Sequence, residues 1–289
     1  MNDSSHHDVP VTPADYATAA PLPVEGQPVQ QAERRRSTSL WNYPATYSLI
    51  GINVAVFIAM VFYGHLWQHL SGSNPLFAEF NTQTLVNFGG SDALLILQGQ
   101  WWRLVTAAFV HAYLLHIALN MWCLWNLGIF GEPLLGRRGL ICVYLLTGIT
   151  GNMFSLAWAV LSNTDAIVVG ASGAVFGIAG ILIVLLSNRQ LSLPWEELKA
   201  LRRQVIFFAV INLAIGIGPQ LLHIFSATLG HIDNTAHIGG FVSGLALGLP
   251  LFPKMMSGRA GYRRRQMQTF IVATLVLCLF GYAISAFAR

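Results

Sequence analysis

The chain has 289 residues, 54% of them hydrophobic and only 10% charged, with a formal net charge of +4 and a mean hydropathy of +0.56. Soluble domains carry charge on roughly a quarter of their residues, so an ordinary soluble enzyme or binding module is excluded and an integral membrane protein is expected. The basic residues stand in short stretches beside apolar runs, so anionic lipid headgroups are the simpler partner and no nucleic acid is expected.

Residues 1 to 40 hold Pro10, Pro13, Pro21, Pro23 and Pro28 among Ser, Gln, Asp and Glu, with almost no large apolar side chain. Such a segment cannot bury enough surface to fold, which predicts a disordered cytoplasmic tail. Asp3, Asp8, Asp15 and Glu25 argue against a transit peptide, and there is no apolar stretch of the secretory kind. Apolar runs long enough to cross a bilayer as helices then follow near 46–64, 106–130, 139–161, 166–187, 204–226, 236–252 and 268–288. The expected architecture is an all-α polytopic membrane protein: a six-span core over 41–252, then a basic loop and a seventh helix over 253–289.

Orientation follows from Lys and Arg. Fourteen of the sixteen precede the first span or lie between the second and third, fourth and fifth, or sixth and seventh; only Arg103 and Arg289 fall on the other face. The positive-inside rule makes the crowded face cytoplasmic, with the N-terminus inside and the C-terminus outside. A bacterial cytoplasmic membrane is the expected site. Cys123, Cys142 and Cys278 all sit in apolar runs without pairing or metal-ligand spacing.

In this orientation the second, fourth and sixth spans all run inward from the outer surface, and each carries its unusual polar residues near its start. These are His111, His116 and Asn120, then Ser172, then His237. Polar groups inside a membrane are costly and are by default candidates for function. His116 and Asn120, about 40° apart on a helix, share a face; on the same helical reckoning His111 points elsewhere. His237, Gly240, Gly244 and Gly248 form one stripe, with Gly173, Gly177 and Gly180 beside Ser172, and small residues at this spacing let helix backbones approach closely. Gly170 interrupts the fourth run, so its helix is expected to start below the surface with free amides at its head. Attack on a carbonyl by serine needs a base and donors for the oxyanion. Ser172 and His237 fit nucleophile and base; the Ser172 amide, His116 and Asn120 fit the donors. No Asp or Glu in the outer half of these helices suits a third member, so a dyad is expected.

These elements resemble the rhomboid family of intramembrane serine proteases. His111, His116 and Asn120 match its His-x4-His-x3-Asn element, Gly170-Ala171-Ser172-Gly173 its nucleophile motif, and Ala236-His237-Ile238-Gly239-Gly240 its base motif. Trp102-Arg103 matches the Trp-Arg pair closing the first outside loop, and Glu132 stands where an acid commonly follows the second span. The resemblance covers residues 45 to 252. It implies peptide-bond hydrolysis in or near the transmembrane segment of single-span membrane proteins by a Ser172–His237 dyad, with no metal or other cofactor. It also implies an outer loop over 65–103, partly embedded, whose Trp67, Phe77, Phe80, Trp101 and Trp102 suit an interface, and a fifth span gating lateral entry. The seventh span gives a six-plus-one arrangement. Phe176 holds a position where an aromatic residue, often Tyr, stacks on the base; Phe can stack but offers no hydroxyl.

Taken singly, Ser172 and His237 read more readily as packing residues; their conjunction with His116 and Asn120 reverses this. For His111 a structural hydrogen bond to the outside loop is as good a reading as catalysis. Arg103 and Glu132 are expected to tie loops to the core, while His65, His69, His223 and His231 belong to the outer surface. A zinc protease would need a His-Glu-x-x-His helix, which is absent, and a transporter would need paired charges and repeats. The alternative is a catalytically silent rhomboid-like binding or quality-control factor, and such proteins lose the nucleophile or base that this chain keeps.

Overall fold

The computed structural model describes residues 41–67, 79–164, 167–189, 191, 194–222, 234–252 and 258–288. The tail over 1–40, the stretch around His69 and Phe77, and His223 and His231 lie outside them, as do the side chains of His65 and Trp67.

Seven helical passes make up the described chain. They are α1 (Pro44–Trp67), the two arms of α5 (Leu114–Ser162), α6 (Ser172–Leu185), α7 (Trp195–Leu222), α8 (Asn234–Leu251) and α9 (Arg259–Phe287). Between α1 and α5 the loop expected on the outer side, called the outer loop for that reason, folds into three short helices, α2 (Thr82–Asn87), α3 (Ala93–Leu97) and α4 (Arg103–Thr106), and a 3₁₀ turn over Ala107–Phe109. The fold is thus all-α and polytopic, as expected. By length and composition α1, α5 and α9 can each cross a membrane, α5 having 49 residues, enough for two crossings.

Three boundaries are set by backbone rather than by composition. The second run is not one helix from 106: the short helix α4 ends at Thr106, a 3₁₀ turn and extended backbone follow, and α5 begins at Leu114. Arg137 and Arg138 stand where the two arms of α5 meet, as expected, but the link is a single residue: Gly136, at φ 74° and ψ 166°, is non-helical and the arginines open the second arm. Side-chain-free Gly alone takes that φ readily. Finally, α6 starts only at Ser172, as expected from the interruption at Gly170, and is shorter than the apolar run around it; 14 residues rise about 21 Å, well under a hydrocarbon core of about 30 Å.

Charge and small residues hold the passes together. The buried Glu132 carboxylate accepts from the Ala45 and Thr46 amides at 3.0 and 2.8 Å and from the Thr46 hydroxyl at 2.8 Å, so it caps α1. This fulfils the tying role read from the sequence. The glycine stripes of α6 and α8 face each other: a methyl built on Gly240 would strike the Gly173 carbonyl oxygen, and one on Gly244 that of Gly177. The first arm of the contact is closed by α5, where Gly151 leaves room for the carbonyl of Ala236. Tyr144, fully buried, donates its hydroxyl to the Ala108 carbonyl at 2.8 Å and accepts from Asn53 at 3.1 Å, pinning the approach to α5 onto α1.

Candidate active site

Ser172 is the first residue of α6, so its amide heads a helix whose first N–H groups have no intrahelical acceptor. The segment before it is held from two sides. Gly170 donates to the Ala107 carbonyl at 2.9 Å, and Ala171 donates to His111 Nε2 at 3.4 Å. Gly170 has φ +122°, and a side chain there would meet His116 Nε2 at 2.7 Å. A glycine is therefore required both by the backbone and by the imidazole lying against it.

Across the α6–α8 contact, His237 Nε2 lies 2.8 Å from Ser172 Oγ. The imidazole is buried, at 8% exposure, and Phe176, one turn after Ser172, stacks on it at 4.6 Å between centroids and 19° between planes. Phe176 in turn touches Phe208 of α7 at 6.5 Å. The small-residue stripe, the hydroxyl and the imidazole are thus one construction: only helices this close bring a serine and a histidine 65 residues apart within a hydrogen bond.

His116 lies in the first turn of α5. The Ala112 amide points at its Nδ1 at 3.5 Å, which keeps a lone pair on Nδ1 and so the proton of a neutral ring on Nε2, the nitrogen facing Gly170. Its ring is flanked by His111 at 5.1 Å, edge-on, and by Tyr113 at 5.4 Å. Asn120 donates one amide hydrogen to the His116 carbonyl at 3.0 Å and carries a second. His116 and Ser172 therefore converge on Gly170, with Asn120 one turn below His116.

His111 falls before the helix, so the helical-face comparison made from the sequence does not apply to it. It is fully buried and serves the outer segment ahead of Ser172 through the Ala171 amide, the structural role already weighed for it. Arg103 sends its guanidinium to the Val86 and Gly90 carbonyls at 2.7 and 3.0 Å and to Gln100 at 2.8 Å. It orders the outer loop. Sequence reasoning missed Asn152, whose amide donates to the Leu104 carbonyl at 2.8 Å, and the pairing of Ser91 with Val168 through two 2.9 Å hydrogen bonds. An asparagine in the middle of an apolar span was the available signal for the first; nothing in the residue types marks the second.

Comparison with known proteins agrees with the motifs. Residues 98–254 match the rhomboid domain. The chain is 37% identical over 175 residues to rhomboid protease GluP of Bacillus subtilis (strain 168), covering 59% of this chain and 31% of that protein. It is 30% identical over 249 residues to RHOMBOID-like protein 2 of Arabidopsis thaliana, 79% of this chain and 72% of that one. With rhomboid protease AarA of Providencia stuartii it shares 29% identity over 222 residues, 73% of each. The chain thus spans about a third of the length of GluP and about three quarters of the other two.

Proposed function

The chain belongs to the rhomboid family, and on that footing we propose that it is a serine endopeptidase that cuts single-span membrane proteins in or near their transmembrane segment. The observation that carries the proposal is the 2.8 Å approach of His237 Nε2 to Ser172 Oγ, at the head of a helix too short to span the apolar core. Relatives named as proteases support it.

In this reading His237 Nε2 takes the proton of Ser172 Oγ as the oxygen attacks the scissile carbonyl. The oxyanion so formed meets the Ser172 amide, the Nε2 hydrogen of His116 and an amide hydrogen of Asn120. His237 returns the proton to the leaving amine, leaving an acyl-serine. Water then attacks that ester with His237 again as base, releasing the carboxylate product and restoring Ser172. Phe176 holds the imidazole plane by stacking and, lacking a hydroxyl, does so without a hydrogen bond of its own. With the N-terminus cytoplasmic, the site opens to the outer side of the membrane.

The experiment is chemical. A mechanism-based serine-hydrolase inhibitor is incubated with the purified protein and the adduct located by mass spectrometry: it falls on Ser172 if the proposal holds, and on another residue or none if it does not.

A further inference from the structure

We infer that α9, the pass outside the six-helix core, is a positioning element for the Ser172 segment, acting through the outer loop. Its kinetic readout rests on the protease reading; its structural readout does not.

Most of α9 faces outward. Val272, Leu275, Val276, Leu279 and Tyr282 are all exposed, while Phe270, Ala273, Leu277 and Phe280 line the inner face, partly buried against the core, and two anchors hold this face toward the ends of the helix. At one end Gln266 is buried and donates to the Leu135 carbonyl at 2.9 Å, the carbonyl next to the break at Gly136. A side chain on Gly139 would collide with the same amide. Buried polar groups need such partners, so Gln266 fixes α9 in register against α5.

Fifteen residues further on, about 22 Å along the helix, Gly281 lies flat against the Trp101 ring, its missing methyl position 3.5 Å from that ring and 3.3 Å from Met153. Ile284 is buried with Ile96, Leu104, Met153 and Leu156. Trp101, Ile96 and Leu104 all belong to the outer loop. From there the contacts run without a gap. Asn152 holds the Leu104 carbonyl, the adjacent Arg103 holds the Val86 and Gly90 carbonyls, and Gly90 packs against Ile167 and Val169. Ser91 pairs with Val168, two residues ahead of Gly170.

Lipid tails would solvate the apolar face of Trp101 and Ile96 as well as α9 does, so α9 contributes packing rather than water exclusion. What it removes is freedom: with Gly281 and Ile284 in place the outer loop has one seat, and the Ser91–Val168 bridge stays closed. That bridge is the element whose open and closed balance α9 biases, and its closed form sets the backbone from which Gly170 and the Ser172 amide project.

The test uses the full chain in liposomes, with Gly281→Leu and Ile284→Ala against Ile284→Val and against Leu279→Ala on the exposed face. Two quantities are measured: the rate of Ser172 labelling by a fluorophosphonate, and amide hydrogen exchange over residues 85–91 and 167–173. Gly281→Leu and Ile284→Ala slow labelling roughly two- to thirty-fold, the range of such couplings, and speed exchange in those two segments while the α6–α8 contact keeps its protection. The two control variants match the wild type. Unchanged exchange in both segments overturns the inference, and so does exchange that rises equally throughout the core, which marks general loosening. If the wild type takes no label, the protease reading fails and the exchange data alone judge α9.

Discussion

Gly240 sits against the carbonyl oxygen of Gly173 with no room for a methyl between them. That contact sets the separation of α6 and α8 and, with it, the 2.8 Å distance between Ser172 and His237. The Ser172–His237 geometry is therefore a packing property before it is a chemical one.

Gly240→Ala should then act on both. Overpacking costs about 1–3 kcal/mol, because a carbonyl oxygen on a helix backbone cannot turn aside as a side chain can. The variant is expected to unfold at a lower temperature and to lose most of its cleavage rate even where it remains folded. Thermal unfolding and substrate cleavage on the same preparation check this; full activity in a folded Gly240→Ala protein would break the link between stripe and dyad.

Phe176 offers a finer probe. Its stack on His237 is worth about 0.5–1.5 kcal/mol by the usual scale of aromatic pairs. Phe176→Ala is expected to lower kcat by about ten-fold with KM little changed, and Phe176→Tyr to stay near the wild type. A Tyr variant as impaired as the Ala variant would mean that the pocket, and not the stack, is what matters.

His116 and Asn120 are the oxyanion donors of the proposed mechanism. Loss of one such donor typically costs about a hundred- to a thousand-fold in kcat, so His116→Ala and Asn120→Ala should each approach that range while leaving Ser172 and His237 in place. Steady-state kinetics with a single-span substrate separates this from weakened binding, which would raise KM instead.

Glu132 makes the opposite prediction. Its carboxylate serves the start of α1, and replacing it by Ala leaves two buried amides without their acceptor, at about 1–3 kcal/mol each. Glu132→Ala is expected to lower the unfolding temperature while activity per folded molecule holds at low temperature. Equal loss of both would tie α1 to catalysis.

What the sequence made legible was what rests on residue type and periodicity. Glycines four apart announced close helices, and a serine, two histidines and an asparagine in apolar runs marked residues that the fold brings near one another around Gly170. Composition was blind where backbone decides. Residues 103–113 are largely apolar like the span that follows, yet they fold as a short helix, a 3₁₀ turn and extended backbone, so composition places the start of α5 too early and His111 on the helix. At 137–138 two arginines marked the division between two spans, and the division itself is a single non-helical residue, Gly136, whose positive φ no residue type but glycine adopts readily. The Ser91–Val168 bridge depends on backbone atoms that every residue carries, and side-chain chemistry does not encode it.

The central claim is that Ser172 and His237 work as a pair on a peptide bond. Its most direct measurement is cleavage of a single-span protein in liposomes by the wild type, Ser172→Ala and His237→Ala. The account predicts cut substrate with the wild type and intact substrate with both variants; equal cleavage by all three would contradict it.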